Sequence, residues 1–240
     1  MKLGSYYNGF YQEIAKLDEA SNGFSKIEHI LPELEPGSLV LDAGCGYGAV
    51  SAELVRRGHT VFGMELNREA LDTLARKGIR PIEADLTEPF PFEPSFDVVL
   101  LLDVLEHVFD PLAVIEEAVR VLRPGGAVIV SVPLYFDVLD RIRILFSGSI
   151  VSYDNLVYGR HIAQRFRSYN YDHIRFFRPS DMTELFALAG LVIEAKHFGP
   201  VVGLRRAPAV VRRLLSSQAF IGLRPSLLAH SMTIRGTRRA

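Results

Sequence analysis

The segment that decides the fold runs from Leu41 to Gly48 and reads LDAGCGYG. It ends a short apolar run, SLVLD, which is typical of a buried strand, and it leads into residues 50–57, whose apolar side chains recur at helical spacing. Open α/β sheets bind ligands where the carboxyl end of a strand meets the next helix. Because glycine lets the backbone turn sharply and approach a ligand closely, the G-x-G-x-G spacing predicts a cofactor loop at Gly44, Cys45, Gly46 and Gly48.

Strands and helices continue to alternate on the C-terminal side of this loop. Apolar runs between turn signals predict strands at residues 59–65, 79–84, 96–102, 127–132, 191–197 and 228–235. Helical spacing predicts helices at residues 67–77, 111–123 and 180–189. Since strands that alternate with helices pair in parallel through right-handed crossovers, the pattern predicts a doubly wound α/β sheet.

Acidic residues stand at the ends of three consecutive predicted strands, at Asp42, Glu65 and Asp85. The acid that ends the second strand can accept hydrogen bonds from both hydroxyls of a ribose. Asp42 would repel the pyrophosphate of a dinucleotide, and it favours a ligand with a cationic amino-acid group. Each acid alone could be a helix cap or a surface residue, but three of them around one glycine loop indicate a nucleoside cofactor.

Five segments of the chain resemble the class I S-adenosylmethionine-dependent methyltransferases, in particular the broad group that includes quinone-biosynthesis O-methyltransferases. They read VLDAGCGYG, VFGMELN, ADL, FDVVLLLDVLEHVFDP and VLRPGGAVIVSVP. The resemblance implies a seven-stranded Rossmann-like sheet with the last strand antiparallel, an insertion after strand five, and S-adenosyl-L-methionine as cofactor. The implied cofactor contacts are Asp42 and the glycine loop, Glu65 and Leu66 near the ribose, Asp85 and Leu86 near the adenine, and Leu101 and Leu102 near the methionine end.

The candidates on the acceptor side follow the fourth predicted strand or lie in the insertion, and one more, Tyr11, lies near the N-terminus. A sulfonium methyl group is already electrophilic, so the protein mainly aligns the acceptor, although an oxygen or nitrogen acceptor often also needs a base. His107 is the candidate base, while a packing or capping role fits the same Glu-His pair. The predicted substrate contacts are Tyr11, Tyr135, Tyr171, His173 and Arg175.

A divalent metal is the alternative at the same place. Asp103, Glu106 and His107 resemble the E-x-x-E-H metal set of some quinone and RNA methyltransferases, with an aspartate in place of the first glutamate. Oxygen and imidazole ligands suit magnesium or a transition ion. The shorter reach of Asp103 counts against the set, and we expect no bound metal.

The 240 residues are enough to bury a full core as a single domain. We divide this domain into an N-terminal flap (1–37), a cofactor-binding core (38–133), a substrate-lid insertion (134–178) and a C-terminal part of the sheet with a basic helix (179–240). The insertion interrupts the strand–helix alternation and is rich in Tyr, Arg and His. It contains a predicted helix near residues 136–146.

Charge is distributed unevenly along the chain, although the net charge is only −1. Nine basic residues and no acidic residue follow Glu194. A basic amphipathic helix within residues 203–221 could lie on an anionic membrane or pack on the acidic body. We expect packing on the body, with at most weak, salt-sensitive attraction to lipid.

The apolar runs, the N-terminus and the cysteine content bear on where the protein is located. No apolar run approaches the roughly 18 residues that a membrane helix needs. The polar, aromatic N-terminus and the single cysteine, Cys45, fit a cytoplasmic protein.

These observations favour a small-molecule methyltransferase that O-methylates a sugar-, quinone- or lipid-like acceptor. One alternative is an S-adenosylmethionine-binding partner protein without catalysis, and another is a nicotinamide-dependent oxidoreductase, against which Asp42 and the missing G-x-G-x-x-G argue. A nucleic-acid substrate is disfavoured because the body is acidic and no N-P-P-[YF] signature follows the fourth strand. The sequence leaves the oligomeric state open.

Overall fold

The computed structural model describes residues 27–31, 34–147, 173–200 and 209–238. The strands are β1 (Leu39–Ala43), β2 (Thr60–Glu65), β3 (Arg80–Glu83), β4 (Phe96–Leu102), β5 (Leu122–Pro133), β6 (Leu191–Pro200) and β7 (Ala229–Arg238). The helices are α1 (Ala49–Arg56), α2 (Arg68–Arg76), α3 (Pro111–Val121), α4 (Val138–Ser147), α5 (Pro179–Leu188), α6 (Ala209–Leu215), α7 (Gln218–Leu223) and α8 (Pro225–Leu228), with a 3-10 turn at Leu105–His107.

The seven strands form one sheet in the order β3-β2-β1-β4-β5-β7-β6. Strands β1 to β5 pair in parallel, and β7 runs antiparallel to both β5 and β6. This confirms the predicted Rossmann-like sheet with an antiparallel last strand. The chain reverses its winding direction between β1 and β4, which opens a crevice at the carboxyl ends of these two strands.

The central strand β4 shows why both faces of the sheet are covered. Its residues Val98 and Leu100 belong to one buried cluster, together with a leucine from each of α1 and α2, Leu54 and Leu74. Val99 and Leu101 belong to the other cluster, with the buried residues of α3 and α5. Neighbouring strand residues point to opposite faces, so an uninterrupted apolar run is buried only when helices pack on both sides. Each such side chain stabilises the fold by about 1.5–3 kcal/mol.

Two helices begin where the sequence predicts them. The side chain of Asn67 accepts hydrogen bonds from the backbone N–H groups of Glu69 and Ala70 at the start of α2. Asp110 accepts one from Ala113, and Pro111 occupies the first turn of α3. Side-chain oxygens of this kind satisfy N–H groups that have no partner within the helix. The caps fix both helix starts at the sheet edge that carries the candidate site.

The fifth strand begins earlier than expected, since the structure includes residues 122–126 in β5. Leu122 pairs with Phe96, and the register then shifts before Ala127 pairs with Val98. Gly125 lies in this interval with a φ of +76°. The PGG sequence therefore bends the strand locally, as the turn signal implied, but pairing continues on both sides of the bend.

Some expectations fall outside the described residues. Tyr11 of the N-terminal flap and Tyr171 of the insertion are among them, as are residues 148–172 of the substrate-lid insertion. The helix expected near residues 136–146 is α4. In the described ranges, no helix is both long and apolar enough to cross a membrane.

The basic C-terminal segment differs from the expectation. Its described part forms α6 and α7, and Val210 and Leu214 of α6 are 81% and 61% exposed. The expected packing of the apolar stripe on the body is therefore wrong for these two residues. A seven-residue helix offers few positions for packing, and sequence spacing alone does not show whether a neighbouring surface lies within reach.

Candidate functional site

The glycine loop connects β1 to α1 and contains three glycines with positive φ. Gly44, Gly46 and Gly48 have φ angles of +78°, +53° and +73°. A Cβ atom on Gly44 would lie 2.7 Å from Val104, and one on Gly48 would lie 2.5 Å from Leu74, whereas one on Gly46 would meet no atom within 4 Å. The outer glycines therefore permit close packing of the loop, while Gly46 borders open space that a ligand can occupy.

The Glu65 carboxylate ties the glycine loop to the end of β2. Its Oε2 atom accepts a hydrogen bond from the Gly46 N–H at 3.0 Å, and its Oε1 atom accepts from the N–H groups of Leu66 and Asn67 at 2.7 and 3.0 Å. The residue is only 6% exposed. Glu65 therefore lies where the sequence predicts an acid, and it also orients the middle glycine of the loop.

Asp42 is nearly buried beneath the same loop. The Ser51 hydroxyl of α1 donates a 2.6 Å hydrogen bond to Asp42 Oδ2. Asp42 is 3% exposed and Ser51 is fully buried. Hydrogen bonds to ionised carboxylates are shorter and stronger than neutral ones, so this contact holds the carboxylate beside the loop. No sequence signal points to Ser51, because a serine in the first turn of a helix is common and indicates no particular function.

The predicted adenine residues lie after β3. Asp85 is exposed, and its carboxylate accepts hydrogen bonds from both the backbone N–H and the hydroxyl of Thr87, at 2.8 and 2.7 Å. The half-buried Leu86 side chain lies 3.1 Å from where a Cβ on Gly44 would stand. Leu66, after β2, is 59% exposed. The structure thus brings Leu86 against the loop and leaves Leu66 accessible to a ligand.

The two leucines at the end of β4 differ in burial. Leu102 is half-buried, whereas Leu101 has no exposed surface and belongs to the core cluster that α3 and α5 cover. The structure therefore does not bring Leu101 into the site. Its predicted contact with the cofactor is wrong, and Leu101 is a core residue. The physical reason is strand alternation, which points consecutive side chains to opposite faces.

Asp103 follows β4 in an unusual backbone conformation. Its φ of +54° makes it the one non-glycine residue with positive φ among the described residues. Its N–H donates to the Ser131 carbonyl at 2.9 Å, and the Ser131 hydroxyl donates to Asp103 Oδ1 at 2.7 Å. Conformations of this kind persist only where surrounding contacts hold them, and they cluster at functional sites. The contacts with β5 turn the Asp103 carboxylate towards that strand.

A cluster of polar side chains collects on the acceptor side, next to the end of β4. The rings of His107 and His173 meet edge to face with centroids 4.6 Å apart. The Tyr135 hydroxyl hydrogen-bonds His173 Nδ1, and His173 Nε2 lies 3.9 Å from a Glu106 carboxylate oxygen. Glu106 is 1% exposed, while both histidines and the tyrosine are half-buried. All four residues are candidates predicted from the sequence, but nothing in the sequence indicates that they form one cluster.

A short stretch of backbone brings His173 to this cluster. The N–H groups of Ile174 and Arg175 donate to the Glu106 carbonyl at 2.8 and 3.2 Å, and the Arg175 guanidinium hydrogen-bonds the carbonyl of Phe109. Farther along, Phe177 bridges to Leu134 after β5. Arg175, a substrate contact predicted from the sequence, therefore bonds the loop after β4.

The same cluster is where a metal ion would fit. Glu106, His107 and His173 each place one ligand atom within 4.8 Å of the others, and Asp103 is not part of this set. The alternative metal set predicted from the sequence is therefore wrong in one member, because Asp103 is turned to Ser131 while His173 arrives from a distant segment.

The residues of the crevice fit S-adenosylmethionine. Gly46 borders open space, the Glu65 carboxylate lies at the end of β2, and the Asp42 carboxylate lies beneath the loop. Glu65 would hold the ribose, and Asp42 would favour the cationic amino-acid end. When bound, the cofactor supplies an electrophilic methyl group, while the protein provides alignment and a water-poor environment.

Comparison with known proteins identifies the family. A family model described as a methyltransferase domain matches residues 12–196. A ubiquinone biosynthesis O-methyltransferase of Idiomarina loihiensis is 30% identical over 209 residues, covering 82% of this chain and 79% of that protein. The protein of the same name from Pseudomonas fluorescens is 30% identical over 181 residues, covering 72% and 70%.

Solved structures of low sequence identity share the fold. An S-adenosylmethionine-dependent methyltransferase from Thermotoga maritima superimposes with a TM-score of 0.64 at 18% identity, covering 97% of both chains. One from Archaeoglobus fulgidus gives a TM-score of 0.63 at 15% identity, covering 97% of this chain and all of that one. With the family match over most of its length, the chain belongs to the S-adenosylmethionine-dependent methyltransferases.

Proposed function

We propose that this enzyme transfers the methyl group of S-adenosylmethionine to a hydroxyl oxygen on a quinone-like ring, with His107 as the base. The observation that carries the proposal is the cluster of Glu106, His107, His173 and Tyr135 at the end of β4. Relatives at 30% identity are named ubiquinone biosynthesis O-methyltransferases, which supports oxygen as the methylated atom.

The chemistry explains why an imidazole is useful here. When a hydroxyl oxygen forms a bond to the methyl carbon, the carbon–sulfur bond breaks and the hydroxyl proton must leave. An unprotonated imidazole nitrogen can accept such a proton, and a positioned base typically contributes about 10²–10⁴-fold in rate. His107 follows β4 directly and is half-buried, so it can meet an acceptor that enters the crevice.

The neighbours of His107 support this role. Tyr135 and Glu106 flank His173 at its two ring nitrogens, which fixes the orientation of that imidazole. The edge-to-face contact then holds the His107 ring against a fixed partner. In this proposal His173 is a positioning residue, and Tyr135 and Arg175 border the space that the acceptor ring enters.

The remaining assignments belong to the same proposal. We infer a small-molecule acceptor rather than a nucleic acid, because the acidic residues are concentrated in residues 1–194, which contain the crevice. We also propose that the enzyme works in the cytoplasm. The division into flap, core, insertion and C-terminal part remains a prediction.

The test is an acceptor panel followed by single-residue variants. Purified enzyme with S-adenosylmethionine is offered an alkylated catechol, its dimethyl ether and the corresponding aniline, and the products are identified by mass spectrometry. Methylation of the catechol alone supports the proposal. Transfer to the aniline, or to no hydroxylated ring in the panel, overturns the assignment to oxygen.

The variants test the base. His107→Gln is expected to lower kcat by about 10²–10⁴-fold while cofactor affinity stays unchanged. His173→Gln is expected to lower kcat less, and His59→Gln, at a half-buried histidine outside the cluster, serves as the matched control. A loss below tenfold for His107→Gln would leave that residue with a structural role only.

A further inference from the structure

Large apolar side chains are exposed along one side of α4. Ile142, Leu145 and Phe146 are 48%, 77% and 83% exposed. Leu145 and Phe146 lie three and four residues after Ile142, so all three side chains lie on one side of the helix. Leu139, one turn earlier, is 39% exposed on the same side. Contiguous exposed apolar side chains of this kind typically mark an interaction site.

A second group of exposed apolar residues lies on helices joined to α4. Val210 and Leu214 of α6 and Leu223 of α7 are 81%, 61% and 72% exposed. Arg141 of α4 donates a 3.1 Å hydrogen bond to the carbonyl of Ser226 in α8. Since α7 packs against both α6 and α8, this bond places α4 beside the helices that carry the second group. We call the exposed apolar residues of α4, α6 and α7 the helical surface.

The charges around the helical surface have one dominant sign. Arg141 on α4, Arg213 on α6 and Arg224 between α7 and α8 are exposed. No acidic residue occurs after Glu194, and Asp140 is the one acid within α4. Exposed arginines interleaved with large aliphatic and aromatic side chains are typical of helices that lie on an anionic lipid surface.

We infer that the helical surface docks the enzyme peripherally on an anionic membrane. The leucine and phenylalanine side chains would enter the boundary between headgroups and acyl chains, and the arginines would pair with anionic headgroups. A second copy of this chain fits less well, because a symmetric contact would bring like-charged arginines together. The inference goes beyond the proposed function and does not depend on the acceptor.

The test measures sedimentation of the full-length enzyme with vesicles. We expect binding to vesicles of phosphatidylglycerol and phosphatidylcholine, and little binding to phosphatidylcholine alone. Binding should weaken as salt rises, because salt screens the attraction between arginines and headgroups. Absence of binding to the anionic vesicles at low salt overturns the inference.

Variants locate the binding surface. Leu145→Glu with Phe146→Glu is expected to lower the vesicle partition coefficient by at least about tenfold, and replacing Arg213 or Arg224 with Gln by about fivefold each. Leu188→Glu is the matched control, because Leu188 is 61% exposed on α5, outside the helical surface. Circular dichroism and cofactor binding show whether each variant is folded.

Two outcomes count against the inference. Equal loss of binding in Leu188→Glu would show that no particular surface is used. A dimer seen by size-exclusion chromatography, and lost in the Leu145→Glu and Phe146→Glu variant, would assign the helical surface to a second copy of the chain instead.

Discussion

Two regions lie at the same end of the sheet, but the chain assembles them differently. The cofactor edge is formed by the glycine loop and the strand ends beside it, and the acceptor side is formed by the cluster around His107. The cofactor edge uses residues 42–86, in which each strand delivers its side chain at its own carboxyl end. The acceptor side joins residues 103–107, 131–135 and 173–177, which are far apart in sequence. Local segments can fix a cofactor site, whereas an acceptor site depends on long-range packing.

The largest expected effect is at Gly46. Gly46→Val should abolish detectable binding of S-adenosylmethionine, because the side chain would fill the open space beside the loop and Gly46 has a φ of +53°. Calorimetry measures the binding, and circular dichroism checks the fold. The matched control is Gly58→Val, since Gly58 also has a positive φ, +89°, and open space around it. Retained affinity in Gly46→Val would make the loop a tight turn only.

A smaller effect is expected at Glu65. Glu65→Ala should weaken cofactor binding by about 1–3 kcal/mol, or roughly 5- to 150-fold, because a charged acceptor is lost and the Gly46 N–H loses its partner. The control is Glu83→Ala, at a partly exposed glutamate that ends β3 and pairs with Arg68 of α2. This variant should leave the affinity for the cofactor unchanged. If Glu65→Ala bound the cofactor as tightly as Glu83→Ala, Glu65 would not be part of the cofactor site.

The acceptor side offers a pH-dependent prediction at Asp137, just after β5. Burial alone would raise the pKa of this carboxyl, but His230 and the N–H groups of Asp140 and Leu139 outweigh it, so the pKa is lowered. A depressed carboxyl pKa stabilises the fold above the unfolded value of 3.8, and this contribution is lost as pH falls below it. Asp137→Asn should therefore lower the free energy of unfolding by about 1 kcal/mol at neutral pH.

Denaturant unfolding at several pH values checks this prediction. The difference between Asp137→Asn and the parent protein should shrink as pH falls below 3.8. Asp72→Asn, at an exposed position on α2, is the control. A difference that does not change with pH would show that Asp137 acts only as a helix cap.

The smallest expected effect is that of metal removal. Treatment with a chelator should leave methyl transfer unchanged, because the sulfonium methyl group is already electrophilic and His107 serves as the base, so the transfer needs no Lewis acid. Activity is measured before and after dialysis against the chelator. Loss of activity that magnesium, manganese or zinc restores would instead make Glu106, His107 and His173 metal ligands.

The sequence by itself determined the sheet, the glycine loop and the strand-end acids. Each of these rests on short-range rules: apolar runs make buried strands, glycine permits positive φ, and a carboxylate at a strand end faces the crevice. The positions of Gly46 and Glu65 therefore follow from residues close to them in the chain. The same rules gave the starts of α2 and α3, since Asn67 and Asp110 cap helices that begin immediately after them.

Only the tertiary structure decided what depends on distant contacts. Strand alternation sends Leu101 into the core, and the hydrogen bonds to Ser131 turn Asp103 away from the histidines. The backbone contacts with Glu106 bring His173 beside His107, although the two histidines are far apart in sequence. The exposure of Val210 also follows from which surfaces meet, because amphipathic spacing shows that a face is apolar but not what covers it.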